Sequence, residues 1–439
     1  MVKLKTVDDA IAYIHGRHKW LKTASFSRIE RLLAELGHPE LENQYIHVTG
    51  TNGKGSTSKM MAQILRTAGL RVGTFTSPFI ERFNERIQDN AGMISDQALL
   101  EAVQTVAPIT ERLDQELPEG GPTEFETLTA VMFVYFQRQA QDVVILEVGI
   151  GGTWDTTEVI PDKLAAVITG VGLDHMKVLG DTIAQIAEAK AGIIQANRPV
   201  IIGPLSADAD NVIRTRAQQL SAPVLAYGRD FQRVGSTQQQ QFGERFDFSG
   251  LADITDIQLA LTGEYQQVNA SVALETVLAV APQLGIEITD DIVRQALAQV
   301  TWPARFEKIS DAPLTIIDGA HNLQGIQALQ TTLTERFSQA PMHIMVGILN
   351  DKNFEAMLKM LSGIPNANVC VVHFEAPHQR QDIDEHVVAR LQKEMGISYA
   401  YDWQKQYAEL KASEPDTPVI FTGSLYFVSE VRAAIKRIN

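Results

Sequence analysis

Cysteine is almost absent: Cys370 is the single one in 439 residues. That excludes an intramolecular disulfide and a metal site built on cysteines. Its setting, Val369-Cys370-Val371-Val372, reads as a buried strand thiol rather than a nucleophile. Long apolar runs are missing too, and none reaches the ~20 residues of a membrane span. The stretch from Met1 to Asp9 turns acidic at once and has no apolar signal core, so a cytoplasmic location is expected, with no membrane partner. Basic residues are outnumbered, 38 Lys and Arg against 53 Asp and Glu, for a net charge of −15. Such a balance argues against nucleic acid as a partner. An anionic substrate must then be met by a local basic site, not by the overall field.

What is present describes a globular chain, 45% apolar and 21% charged. Its length exceeds one ordinary core, so two domains are expected, over residues 1–299 and 300–439. A monomer is expected.

The stretch Val48-Thr49-Gly50-Thr51-Asn52-Gly53-Lys54-Gly55-Ser56-Thr57 organises the first domain. An apolar run from Tyr45 to Val48 precedes it. A helical pattern follows, with Met60, Met61, Ile64 and Leu65 apolar and Gly69 as the stop. Strand, glycine-rich turn and helix start are the parts of a phosphate cradle. Glycines let backbone N–H groups approach an anion, and the helix N-terminus adds partial positive charge. Lys54 would reach the outer phosphates. The match to the general P-loop is imperfect: Val48 stands at its first glycine, Gly55 follows the lysine, and Ser56 comes one residue late.

Before the cradle, residues 6–16 read as a helix capped by Thr6. A second helix has Ser27 and Glu30 as a capping box, with Ile29, Leu32, Leu33 and Leu36 on its apolar face. After it, Arg71 to Thr76 reads as a short strand, and Ser77 to Ile87 as a surface loop with a fragmentary helix. Thr123 and Glu126 form a capping box for a further helix. Asp142 to Gly149 is a continuous apolar run ending in Glu147, the pattern of a central parallel strand. Ligands in open α/β sheets gather at the carboxyl ends of strands, which puts Glu147 where a carboxylate could hold magnesium. Leu164 to Thr169 is another strand, leading to Gly172-Leu173-Asp174-His175. His175 is a structural histidine or a magnesium or phosphate contact. In the helix from Thr182 to Ala191, Lys190 falls on the apolar face with Ile183, Ile186 and Ala187. A buried cation is costly unless paired, modified or snorkelling past the helix end.

Residues 199–203 and 222–227 give two more strands. Residues 229–262 alternate as antiparallel strands and turns, with the glutamine run Gln238–Gln241 as a loop. Asn269 falls near the start of a helix. From the boundary at Val300-Thr301-Trp302-Pro303 the rhythm is strand–helix again, with strands at 315–317, 343–348, 369–374 and 419–422. Arg305 at this junction is a surface charge or a phosphate clamp. Asp318-Gly319-Ala320-His321-Asn322 and Gly423-Ser424-Leu425-Tyr426 follow strands. The fold class expected is α/β: a P-loop ATPase-like N-terminal domain with a mostly parallel sheet and small antiparallel strands, then a smaller Rossmann-like domain.

The wording Thr49-Gly50-Thr51-Asn52-Gly53-Lys54-Gly55-Ser56 resembles the ATP loop of folylpolyglutamate synthases and dihydrofolate synthases, relatives of the Mur peptide ligases. Trp302-Pro303-Ala304-Arg305 resembles the family's Trp-Pro-Gly-Arg, with Ala304 for glycine. Asp318 to Asn322 matches its Asp-Gly-Ala-His-Asn. Asp155-Thr156-Thr157-Glu158 departs from its Asp-x-Thr-Asn, with glutamate last and a bulky Trp154 before it.

The resemblance implies an ATP-dependent ligase joining L-glutamate to a folate carboxylate, with dihydropteroate as an alternative acceptor. It implies that Gly50 to Ser56, Asn269, Arg305, Asp318 and His321 contact ATP. Ser77, Glu147 and His175 would hold magnesium, and Lys190 would be carried as a carbamate. Phe79, Thr123, Glu126 and Asp155 would meet the pterin substrate, beside a mobile loop at 77–87. Lys54, Glu147, His175, Lys190, Arg305 and His321 are the implied catalytic set. Potassium is a further candidate ion. Another Mur-type amide ligase and a non-catalytic ATP-binding switch are the competing classes.

Overall fold

The computed structural model describes residues 4–19, 25–118, 120–235, 241–337, 339–350, 352–375, 382–383 and 385–438. The chain divides into two compact units. One comprises Met1–Val234, Asp247–Ile257 and Val268–Ala298; the other comprises Gly235–Phe246, Gln258–Gln267 and Gln299–Asn439.

The first unit is built on eight strands: β1 (Tyr45–Thr49), β2 (Val72–Phe75), β3 (Ile87–Asp89), β4 (Gly92–Met93), β5 (Val143–Glu147), β6 (Ala165–Ile168), β7 (Val200–Ile202) and β8 (Val224–Ala226). Their order is β4-β3-β2-β5-β1-β6-β7-β8. All pairings are parallel except β2 with β3 and β3 with β4. β1 and β5 are buried along their whole length, as strands covered on both faces must be. One face packs Tyr45, Phe75, Val144 and Leu146 against the helices Val7–His15, Ser27–Glu35, Asp96–Glu116 and Glu124–Arg138. The other packs Ala166, Ile168, Val200 and Ile202 against the helices Ile183–Ala191 and Ala207–Gln219. Three further strands, β9 (Gln232–Val234), β10 (Glu244–Ser249) and β11 (Asp253–Leu259), form a separate sheet ordered β11-β10-β9.

The second unit carries β12 (Glu307–Asp311), β13 (Leu314–Ile317), β14 (Met342–Val346), β15 (Ala367–Val372), β16 (Ser398–Ala400) and β17 (Val419–Thr422). Their order is β12-β13-β17-β14-β15-β16, parallel apart from β12. The α/β class with a second α/β unit is as the strand–helix rhythm predicts.

Local signals hold unevenly. Thr6, Thr123 and Thr182 each cap a helix through a reciprocal capping box. Ser27 does not cap: the Ser25 hydroxyl accepts from the Ser27 amide, Phe26 takes the cap position, and Ser27 is already the first helical residue. Residues 77–87 hold a short 3-10 helix, Phe83–Arg86, that runs into the β3–β4 hairpin, whose strands are too short to show a period. Gly235–Phe246 and Gln258–Gln267 cluster with residues beyond 299. The glutamine run at 238–241 lies outside the described residues except for Gln241.

Candidate active site

The glycine-rich turn leaves β1 at the carboxyl edge of the sheet and enters the helix Lys54–Thr67. Gly53 stands at φ 87° and caps that helix, and a Cβ there would lie 2.5 Å from the Asn269 amide oxygen. Glycine is therefore required by conformation and by space at once. Asn269 lies in the second turn of the helix Glu264–Leu284, deeper than a helix start, and faces the cradle by this contact. The turn is tied to the loop after β6. Thr51 N–H donates to Gly170 O at 2.9 Å, and the Thr169 hydroxyl donates to Asn52 O at 2.6 Å. The Lys54 ammonium folds back on its own turn, donating to Gly50 O at 2.9 Å.

Glu147 ends β5 next to Val48 of β1 and is only 4% exposed. The amide of Ser77, just past the end of the adjacent β2, faces its carboxylate at 3.4 Å. His175 sits at φ 50°, at the start of the single helical turn Met176–Leu179. Among the described residues no group of three or more His, Cys, Asp or Glu side chains forms a metal cage. One buried carboxylate beside a serine still fits magnesium, which takes one or two carboxylates and fills its shell with water and phosphate oxygens.

Lys54, His175 and Lys190 line a single cavity together with Thr49, Asp174 and the Gly149–Gly151 turn. Lys190 is 3% exposed, on the inner face of the helix Ile183–Ala191. Burial, then the charge of Lys54, lowers its amine to about 7 against the pull of Asp174. This places two amines in one recess of an acidic protein, which is the local basic site that an anion needs. Asp174 is a member of the recess that sequence reasoning passed over. Asp174 stood next to His175 in a strand-end turn, and that position was its only signal.

The residues expected to meet a pterin also converge. Phe79 packs on Phe83 with ring centroids 5.8 Å apart, and Arg86 lies 5.2 Å above the Phe79 ring. Phe83 meets His15, which contacts Glu124 at 2.8 Å in the first turn of the Glu124–Arg138 helix. Thr123 caps that helix, and Glu126 accepts the Thr123 amide at 2.7 Å. Glu126 also forms a buried ion pair with Arg28 at 3.1 Å. A Cβ at Gly149 would touch both the Phe125 ring and Asp155 Oδ2. Asp155 is buried and turned inward: Oδ2 accepts from Ile150 N at 3.0 Å and Oδ1 from Thr157 N at 3.1 Å. Trp154 is exposed and packs on Phe26 at 5.5 Å.

In the second unit, Asp318 follows β13 and is 5% exposed. Its two oxygens accept from Phe306 N and Ala320 N, each at 2.9 Å. Burial raises its carboxyl, and Arg305 opposes that. Arg305 Nη1 donates to Ala304 O at 3.0 Å, in a turn where Ala304 and Phe306 both have positive φ. The glycine that the resemblance places at 304 is explained by that backbone. His321 Nδ1 donates to Gly319 O at 2.8 Å, which fixes the ring, and Asn322 Oδ1 accepts from Gly325 N at the start of the helix Leu323–Phe337. Arg305, Asp318 and His321 thus form one local group.

A glycine turn and buried lysine at the edge of a parallel sheet, with a separate α/β unit, suit an enzyme that handles a nucleotide. The Mur ligase middle domain model matches residues 48–277, and the model for the Mur ligase, glutamate ligase domain matches 304–425. The chain is 41% identical to a folylpolyglutamate synthase of Lacticaseibacillus casei, covering 97% of this chain and 98% of that one. It is 36% identical to a dihydrofolate synthase/folylpolyglutamate synthase of Bacillus subtilis, covering 98% and 99%. A solved structure described as an FPGS–AMPPCP–folate complex superposes with a TM-score of 0.87 at 40% identity, covering 98% of this chain and all of the other. The chain belongs to the folylpolyglutamate synthase/dihydrofolate synthase family of Mur ligases.

Proposed function

We propose that this protein adds L-glutamate to the γ-carboxylate of a reduced folate, using ATP and releasing ADP and phosphate. The observation that carries the reading is the convergence of Lys54 and Lys190 on one recess beside the glycine turn. A carboxylate does not condense with an amine at neutral pH, because its leaving group would be an oxide. Its oxygen instead attacks the γ-phosphorus of ATP; the bond to the β–γ bridging oxygen breaks and ADP leaves. The glutamate amine then attacks the acyl carbon of the resulting acyl phosphate. Phosphate departs with the bonding pair, and the amine gives up its proton.

Such chemistry needs positioning and charge neutralisation more than covalent help. The amides of Gly50 to Ser56 and the Lys54 amine would cradle the phosphates. To do so, Lys54 must exchange its contact with Gly50 O for a phosphate oxygen. Asn269 would border the cradle, and Arg305, Asp318 and His321 would serve the nucleotide from the second unit. Ser77, Glu147 and His175 would hold magnesium, which supplies charge neutralisation at the phosphates when bound. A carbamate on Lys190 would turn a buried amine into an anion suited to support that metal site. Phe79, Thr123, Phe125, Glu126 and Asp155 would shape the pterin side, with Glu126 and Asp155 acting through the turns they hold. A monomer in the cytoplasm belongs to the same reading.

A second acceptor, dihydropteroate, is favoured by the relative that carries both activity names at 36% identity. The test is ADP release with ATP, magnesium and glutamate in every tube, and tetrahydrofolate, dihydropteroate, a Mur precursor or no acceptor as the variable. Release with tetrahydrofolate alone supports the synthase, and release with both pterins makes it bifunctional. Release with the Mur precursor alone overturns the folate assignment. ATP binding without acceptor-dependent release favours a switch.

A further inference from the structure

Behind the cavity wall runs a buried chain of polar contacts of which the roles above use only Asp155. Lys163 is 2% exposed; its ammonium donates to both Glu158 oxygens, at 2.9 and 2.8 Å, and to Ile193 O at 2.9 Å. Glu158 faces His47 Nδ1 at 3.1 Å. His47 lies in β1, two residues before Thr49, and is fully buried. Its Nε2 is 2.7 Å from the Thr157 hydroxyl, and that hydroxyl is 2.5 Å from Asp155 Oδ1. Asp155 Oδ2 then accepts the amide of Ile150, in the turn that walls the cavity. From the other side Thr49 Oγ1 donates to Gly151 O of the same turn at 2.6 Å.

Proton counting constrains this chain. A hydroxyl has one proton to give, yet Thr157 makes a close contact on each side. Either His47 Nε2 carries a proton and donates to Thr157, which donates to an ionised Asp155, or Asp155 is protonated and Thr157 donates to Nε2. His47 Nδ1 faces Glu158 at 3.1 Å and the Lys163 ammonium at 3.4 Å, so it either donates to the carboxylate or accepts from the ammonium. With Nδ1–H directed at Glu158, the two forms differ only in where one proton sits. Burial lowers His47 and raises Asp155, both of which favour the form without separated charges. Lys163 and Glu158 neutralise one another at the far end. Removing either would leave a buried charge.

We infer that His47 and Thr157 are positioning residues: through Asp155 they hold the Gly149–Gly152 turn in the shape that receives the pterin substrate beside the phosphate cradle. The glutamate at 158, where the resembled family has asparagine, belongs to this device as the partner of Lys163 and the acceptor from His47. The assignment to the pterin substrate rests on the proposed ligase reading.

The experiment compares Thr157→Val, Thr157→Ser and His47→Asn in the full chain. Two readouts are amide hydrogen exchange of the peptide spanning Val148–Asp155, and separate KM values for the folate acceptor and for ATP. Thr157→Val keeps volume and loses the relay, and Thr157→Ser restores the hydroxyl. The valine and asparagine variants are expected to raise exchange at the Ile150 amide and to raise the acceptor KM about tenfold. The ATP KM should stay within about twofold and the serine variant should match the parent. Unchanged loop exchange in both relay variants overturns the inference, as does an acceptor KM that stays put while the loop loosens, or a serine variant that rescues nothing. If the parent enzyme turns over no pterin acceptor, the ligase reading fails by itself, and the exchange data still decide whether the relay holds the turn.

Discussion

Lys190 shares its cavity with Lys54, and the charge of Lys54 adds to burial in lowering the Lys190 amine to about 7. Two cations so placed repel one another until an anion arrives. The arrangement therefore suits a site that receives phosphate on one side and a modified amine on the other.

Lys54→Ala should abolish most turnover. The Lys54 ammonium is held by its own turn, ready to move a short way to a phosphate. A contact made mainly with the transferring group is worth about 10²–10³ in kcat. Steady-state ADP release should fall by that order, with the thermal midpoint little changed because the side chain lies at the cavity. Near-normal turnover would remove the glycine turn from the mechanism.

Carbamate formation at Lys190 has a pH sign that can be worked out. Only the neutral amine adds carbon dioxide. A lysine lowered to about 7 is protonated below that pH and largely free base above it. Activity should therefore rise as pH climbs through about 7, and fall in carbonate-free buffer in a way that bicarbonate restores. Lys190→Arg, which keeps a cation and cannot form the carbamate, should lose activity that bicarbonate cannot rescue. A density map showing an unmodified amine in the active, magnesium-loaded enzyme would sink the idea.

The strand and cradle signals were legible because they are local. Val143 to Leu146 is apolar without a break and ends in Glu147, and the Gly50–Lys54 turn sits between a strand and a helix. The cap at Thr6 and the capping box of Thr123 with Glu126 are also local, and both form, whereas the box expected at Ser27 does not. What escaped is long-range pairing. His47 meets Thr157 across 110 residues, and Arg28 meets Glu126 across 98. Nothing in the short-range pattern around His47 distinguishes it from an ordinary strand residue. Glu158 looked like a departure from a motif; with Lys163 and His47 beside it, it is a partner. Asp155 read as a substrate contact by resemblance, yet its oxygens are committed to Ile150 and Thr157.

The Arg28–Glu126 pair separates stability from catalysis. Both side chains are buried, and Glu126 also accepts the Thr123 amide. Glu126→Gln keeps a carbonyl for that amide and removes the negative charge. Breaking one side of a buried ion pair costs about 3–5 kcal/mol. Calorimetry should show the first unit melting at least about 5 °C lower. An unchanged midpoint would mean that Arg28 is satisfied without Glu126.

Ala304→Gly should stabilise the second unit. Ala304 has φ 55°, a region that costs a non-glycine residue about 1–2 kcal/mol. Relaxation does not relieve it, because both sides of the residue are held. The Ala304 amide donates to Glu307, and its carbonyl accepts from Gly319 N at 2.8 Å and from Arg305 Nη1 at 3.0 Å. Glu307 is anchored in turn: burial pushes its carboxyl up, but Arg432, the Ala304 amide and Lys436 outweigh that and hold it below its ordinary value. Glycine would keep these bonds and lose the steric penalty, at the cost of about 0.4–1 kcal/mol of unfolded-chain entropy. The midpoints of these terms leave a net gain of about 0.8 kcal/mol, a rise of about 2–3 °C in the melting of this unit. ATP KM should be unchanged, since Arg305 keeps its turn. A lower midpoint would show that the buried Ala304 methyl contributes more by packing than it loses by strain.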